Sequence, residues 1–162
     1  MQSIKDMCEY LKKISEELNF LEGSDKYHAL MEYGEDIENF DISLKTDENM
    51  VTGCTSEVYI HAIKKKDRIY LKGFSGSHIV RGYLAIQLKA LSGLTADEII
   101  NNSDECLQKF VNDTDIKATL TPTRANAFGN IFNKIKQKAK EIKKILNLTE
   151  SLKRTLKFNY KF

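Results

Sequence analysis

Val58-Tyr-Ile-His-Ala-Ile-Lys-Lys-Lys-Asp-Arg-Ile-Tyr-Leu-Lys-Gly-Phe74 carries the strand signal of this chain. Val58, Ile60 and Ala62, then Ile69 and Leu71, recur at every second residue, with the polar turn Lys64–Asp67 between the runs. That alternation places them on one face of a pleated ribbon and predicts a β-hairpin with one side in the core. Tyr59, Tyr70 and Phe74 have the opposite parity, so the second face is expected to be at least partly covered.

Outward from the hairpin the period becomes helical. On the N-terminal side Ser3 reads as an N-cap, and Ile4, Met7, Leu11, Ile14, Leu18 and Leu21 mark one apolar face ending near Gly23. Ser24 opens a second helix carrying Tyr27, Leu30 and Met31, which ends around Gly34. Residues 35–53 are acid-rich and aperiodic, which predicts an irregular, exposed segment. On the other side Ser75-Gly-Ser is a loop and cap before an apolar helix from about His78 to Ser92, stopped by Gly93. Thr95-Ala-Asp-Glu98 is a capping box for a short helix, and Asp104–Asn112 forms another with Cys106, Leu107 and Phe110. Thr121-Pro122 is a helix start, and Phe128, Ile131, Phe132, Ile135, Ala139, Ile142 and Leu146 line one face of the helix it opens. Leu156–Phe162 alternates like a strand, as for a sheet edge, a partner's edge or a frayed end.

At 162 residues, with 41% apolar and 30% charged, the chain fits one globular domain with its own core. No stretch reaches the length of a membrane span, and the amphipathic N-terminus lacks a signal-peptide layout, so the expected location is cytoplasmic. Three cysteines without a C-x-x-C pair argue against a disulfide framework, which leaves Cys106 as a core or semi-buried residue. His28, His61 and His78 lack zinc-ligand spacing, so no metal is expected. Residues 1–132 hold 15 Lys/Arg against 21 Asp/Glu, a net of −6, whereas 133–162 hold 10 against 2, a net of +8. Base-stacking aromatics do not interleave with the first of those lysines, so the basic end reads as a solvated helix face rather than a nucleic-acid or membrane contact.

The chemistry points to Asp47-Glu-Asn-Met-Val-Thr-Gly-Cys-Thr-Ser-Glu-Val-Tyr-Ile60. Cys54 stands on a loop feeding the first strand, with Gly53 allowing a sharp turn before it, whereas structural cysteines sit within periodic apolar runs. Four stretches in register then resemble the SufE/CsdE family of sulfur-acceptor proteins: Asn49–Ser56, Gly73–Gly82, the run at 91–99, and Leu120-Thr-Pro-Thr-Arg-Ala-Asn126. The resemblance runs from about Tyr27 to Ile142. Thr55, Glu57 and Tyr59 stand where Gln, Gln and Trp are usual, Gly76 replaces a common aspartate, and Ala127 a frequent glycine.

The resemblance implies an α+β fold, a small antiparallel sheet packed against several helices and similar to the iron–sulfur scaffold proteins, in a single domain over 1–145, with the basic stretch 146–162 as an extension beyond the resemblance. It implies that Cys54 takes persulfide sulfur from a SufS/CsdA-like cysteine desulfurase, stimulates that enzyme, and passes sulfur to a SufB-like scaffold for iron–sulfur cluster assembly. Arg124 matches the arginine of the family's helix start, and is expected to stabilise the thiolate or to serve docking. Pyridoxal phosphate would belong to the desulfurase, and this chain, needing no cofactor, would be an accessory relay rather than an enzyme, a monomer or weak homodimer. Met50 and Val51 are candidates to shelter the thiol. The residues leave other classes open: a regulatory module that docks without carrying sulfur, a Cys/His hydrolase pairing Cys54 with His61 or His78, and a cluster-building scaffold.

Overall fold

The computed structural model describes residues 3–114 and 122–159, and of 122–125 and 157–159 the backbone alone. In chain order the elements are α1 (Ile4–Asn19), α2 (Ser24–Glu35), a 3-10 turn (Ile42–Leu44), β1 (Val58–Lys65), β2 (Arg68–Ser75), α3 (His78–Leu91), β3 (Leu94–Thr95), a π-type turn (Glu98–Asn102), α4 (Asp104–Asp113) and α5 (Pro122–Asn159). The fold is α+β, with an antiparallel sheet in the order β1-β2-β3.

The hairpin pairs Val58 with Ser75 through Lys65 with Arg68, and Lys66 takes the positive φ of the turn. Val58, Ile60, Ile69 and Leu71 are buried on one face, each stabilising the fold by about 1.5–3 kcal/mol relative to exposure. Phe40, Tyr59 and Phe74 cluster on the other with ring centroids 6.4–6.5 Å apart, and Lys45 Nζ lies 3.5 Å from the Phe74 centroid.

Helix α3 is the centre of the core, with Tyr83, Leu84, Ile86, Ala90 and Leu91 fully buried. It packs on β2 where Gly73 leaves space, since a Cβ there would lie 3.0 Å from Leu84 and Leu88 methyls. On its other side it meets α2 with the backbones in contact at Gly34 and Gly82. Ser3 Oγ caps α1 by accepting the Asp6 N–H at 3.2 Å, and Met7, Leu11, Ile14 and Leu18 form its buried stripe. The capping box forms as well: Thr95 N–H donates to Glu98 Oε2 at 2.8 Å and Glu98 N–H to Thr95 Oγ1 at 3.3 Å.

Four expectations need correction. Cys8 and Cys106 form a disulfide, because α1 packs along α4 and brings their Cα atoms to 5.4 Å, within bridging range. The cysteine count is odd because Cys54 stays free. The segment 35–53 is irregular but not exposed throughout: Asn49 and Val51 are buried, and Met50 bridges to Tyr59 of β1. Ser75 does not cap α3 itself; its Oγ accepts the Ser77 N–H at 3.2 Å, one turn too early. Finally, Leu156–Asn159 is helical, not strand, and Tyr160–Phe162 lie outside the described residues. No Gly or Pro interrupts 130–159, and a helix satisfies its own backbone groups where a lone terminal strand would not.

Helix α5 buries Phe128, Ile131, Ile135 and Ala139 against the core, and ion pairs carry it further along the body: Lys136 to Asp104 at 2.7 Å, and Lys143 to Asp97. Beyond them Ile145, Leu148, Leu152 and Leu156 are each more than half exposed.

Candidate functional site

The Cys54 loop stands on β1. Val51 N–H donates to Val58 O, and Ile60 N–H to Asn49 O, both at 2.8 Å. Asn49–Val51 is therefore an extra rung on the outer edge of β1, and residues 52–57 form a closed loop above it. Asn49 is held in turn by Nδ2–H donation to Leu44 O at 2.9 Å. At the far end Gly76 N–H donates to Glu57 O at 3.1 Å, which ties the loop to the approach of α3. Met50 and Val51 thus anchor the loop, and Val51 belongs to the main core.

Helix α5 forms the wall beside this loop and touches the segment leading through it twice. Asn130 Nδ2 donates to Gly53 O at 3.0 Å, and Lys138 Nζ, on a nearly buried side chain, lies 3.4 Å from Glu48 Oε1. Eight residues separate Asn130 from Lys138, roughly 12 Å of helix, so the two contacts fix the segment's direction along α5. Gly53 has φ +81°, a backbone that side chains other than glycine rarely adopt.

Cys54 is half-buried and packs against the core. Burial pushes its thiol pKa up, and a hydrogen bond from Asn130 pulls the other way. A thiol in this setting is mostly protonated near neutral pH, the form that reacts slowly with oxidants. Neither His61 on β1 nor His78 at the start of α3 contributes to the shift. A cleft of about 670 Å³ opens between α1, α2, α3 and β2, lined by Tyr10, Tyr33, Asp36, Leu88 and Lys89, and Cys54 is not part of it.

Arg124 lies in the first turn of α5, about 9 Å of helix rise before Asn130. Its side chain, like the Thr121 cap, lies outside the described residues. Arg81 serves packing: its Nε donates to Ser75 O at 3.4 Å where α2 crosses α3. Among the described residues no group of three or more His, Cys, Asp or Glu is arranged to hold a metal ion, and no helix is long and apolar enough to cross a membrane. The residue that sequence reasoning missed is Asn130, 77 positions from its partner Gly53. No local signal singles it out, since Asn126, Asn133 and Asn147 are equally poor helix formers in the same helix.

Residues 12–139 match the family model SufE, described as an Fe-S metabolism associated domain. An uncharacterized SufE-like protein of Synechocystis is 36% identical over 114 residues, covering 70% of this chain and 69% of that protein. The sulfur acceptor protein CsdE of Escherichia coli is 26% identical over 119 residues, 73% of this chain and 79% of CsdE. In two longer plant relatives the match spans only 18% and 30% of their length. Among solved structures, a hypothetical protein from Thermus thermophilus superposes with a TM-score of 0.63 at 14% identity, over 82% of this chain and 94% of that one, a likeness of fold.

Proposed function

This chain belongs to the SufE family, and on that premise we propose that it accepts sulfur on Cys54 from a cysteine desulfurase and passes it on for iron–sulfur cluster assembly. The observation that carries this reading is that Cys54 is the free thiol of the three cysteines and sits on a closed loop inside the family-matched span. The name of the Escherichia coli relative, a sulfur acceptor, supports it.

The chemistry is thiol–disulfide exchange in form. The Cys54 thiolate attacks the outer sulfur of the desulfurase persulfide. The donor's S–S bond breaks, its cysteine leaves as thiolate, and Cys54 becomes Cys54–S–SH. No electrons are gained or lost overall. Transfer onward repeats the exchange with Cys54 as the leaving thiolate, to a cluster scaffold or another recipient thiol. The chain would turn over only as a relay, and the pyridoxal cofactor that liberates sulfur from L-cysteine is the partner's. Arg124, or a cation of the docked partner, would favour the thiolate that burial disfavours. A hydrolase would need a substrate pocket at the thiol, and the 670 Å³ cleft lies away from it.

Intact mass after incubation with desulfurase, pyridoxal phosphate and L-cysteine tests the reading. The expected result is a reductant-sensitive gain of sulfur mapped to Cys54 and lost in Cys54→Ser, with slower loading in Arg124→Glu. If the protein stimulates the desulfurase while Cys54 gains no sulfur, or Cys54→Ser stimulates as well as the parent, it is a regulatory module instead.

A further inference from the structure

We propose that Asn130 is the positioning residue for Cys54: its amide clamps the thiol loop onto α5 and supplies the N–H that stabilises the anionic sulfur. The proposal rests on the carrier reading for its purpose, though not for its test. Asn130 Nδ2 carries two hydrogens. One is donated to Gly53 O at 3.0 Å, which leaves the second for the sulfur of the next residue, where Asn130 is the side chain that counts against burial at Cys54. The contact with the carbonyl identifies the nitrogen end of the amide, because the oxygen end would set two acceptors against each other.

Gly53 is required twice over in this arrangement. Its φ of +81° turns the peptide so that its carbonyl meets α5, and a Cβ there would lie 2.9 Å from Asn130 Nδ2. Asparagine inside a helix costs about 0.5 kcal/mol or more against alanine, a local cost with no packing gain at a half-exposed position. A persulfide is a stronger acid than a thiol, so a loaded Cys54 would wait as an anion, which a directed N–H donor stabilises without adding a positive charge. The charged residues nearest in sequence on the two elements that meet are Glu57 in the loop and Lys134 one turn along α5. Neither contributes to the thiol's shift.

The test is the pH profile of Cys54 alkylation by iodoacetamide on the full chain without reductant, where the Cys8–Cys106 bridge keeps the other sulfurs silent. In Asn130→Ala the midpoint moves to higher pH, and the thiolate fraction at neutral pH falls about threefold to tenfold. The near-isosteric Asn130→Asp, which replaces the donor with a like charge, moves it further. Asn130→Gln, which keeps the donor, returns part of the way. Unmoved midpoints in both Ala and Asp variants overturn the proposal, and so does a rise in rate at every pH with no midpoint change, the mark of a residue that only packs the loop. No desulfurase enters this assay. A shifted midpoint in a protein whose Cys54 takes no sulfur would therefore sink the carrier reading and leave the Asn130 assignment standing.

Discussion

Gly82 and Gly129 both lie inside helices, and the same substitution should act on them with opposite sign. In α3 a Cβ on Gly82 would lie 1.9 Å from Leu30 O and 2.7 Å from Leu30 C of α2. The first distance is about 1.5 Å short of ordinary contact. Both obstructing atoms are backbone, so no rotamer change relieves the clash, and α2 must lift from α3. Gly34 sits in the same crossing, with its own virtual Cβ 3.0 Å from Gly82 N, so the separation would loosen the packing of Leu30 as well. Overpacking of this kind costs about 1–3 kcal/mol, here toward the upper end, offset by about 1 kcal/mol of helix propensity. Gly82→Ala should therefore lose about 2 kcal/mol. At Gly129 in α5 nothing lies within 4 Å of the virtual Cβ, so Gly129→Ala keeps the propensity gain alone, about 0.5–1 kcal/mol more stable. Urea unfolding of the two variants side by side should show a gap near 3 kcal/mol, or roughly 6–12 °C in melting temperature. If both variants shifted the same way, or lay within about 1 kcal/mol of each other, the close crossing of α2 and α3 would be refuted.

The bridge between Cys8 and Cys106 closes a sequence separation of 98 residues, for which chain entropy sets an upper figure near 4.7 kcal/mol. On a Cys54→Ser background, reductant should lower the urea-derived stability by about 2–4 kcal/mol, and coincident curves would mean that the bridge contributes nothing to the fold. We propose further that residues 1–145 are a self-sufficient domain. Because Leu148, Leu152 and Leu156 are 57%, 65% and 56% exposed, deleting 146–162 should change stability by no more than about 0.5 kcal/mol, and a larger loss in thermal melts would make the extension part of the core.

What the sequence disclosed was local. The alternation of Val58, Ile60, Ile69 and Leu71 is written in neighbouring positions, and so are the Thr95–Glu98 capping box and the Gly93 stop with its φ of +88°. Strand β3 left no trace because two residues, Leu94 and Thr95, are too few to establish a period. The disulfide was hidden for a different reason. Cys8 and Cys106 each lie in a helix pattern of their own, and only the packing of α1 on α4 puts them side by side. At the site Cys54 was legible through its loop setting and the four family stretches, whereas Asn130 was not, since its meaning depends on which carbonyl α5 passes. The tail misled because alternation of Leu, Phe and Tyr with Lys and Asn is a strand signal only when a partner strand exists.

On the carrier reading, the fixed points around Cys54 limit where a sulfur donor can stand. Asn49–Val51 is hydrogen-bonded to β1, and Glu57 is tied to Gly76, so the part of the loop free to swing is residues 52–56 once the Gly53–Asn130 bond opens. Cys54 is three residues from the anchor at Val51, and an extended chain gains about 3.4 Å per residue, so its Cα can move no more than about 10 Å from that anchor. A donor persulfide must therefore come close to the body itself, and the surfaces flanking the loop must be covered when it does. Those surfaces are the approach to α3, where Gly76 is tied to Glu57, and the stretch of α5 at Asn130. Burial keeps the resting thiol protonated, and leaving the half-buried position removes that penalty together with the Asn130 N–H. On the carrier reading, release on docking then raises the thiolate fraction where the donor sulfur is, and return to α5 shelters the loaded sulfur beside the Asn130 amide. A short reach and a sheltered rest position are demands of a relay between two proteins, whereas a regulator that never carried sulfur would have no use for either.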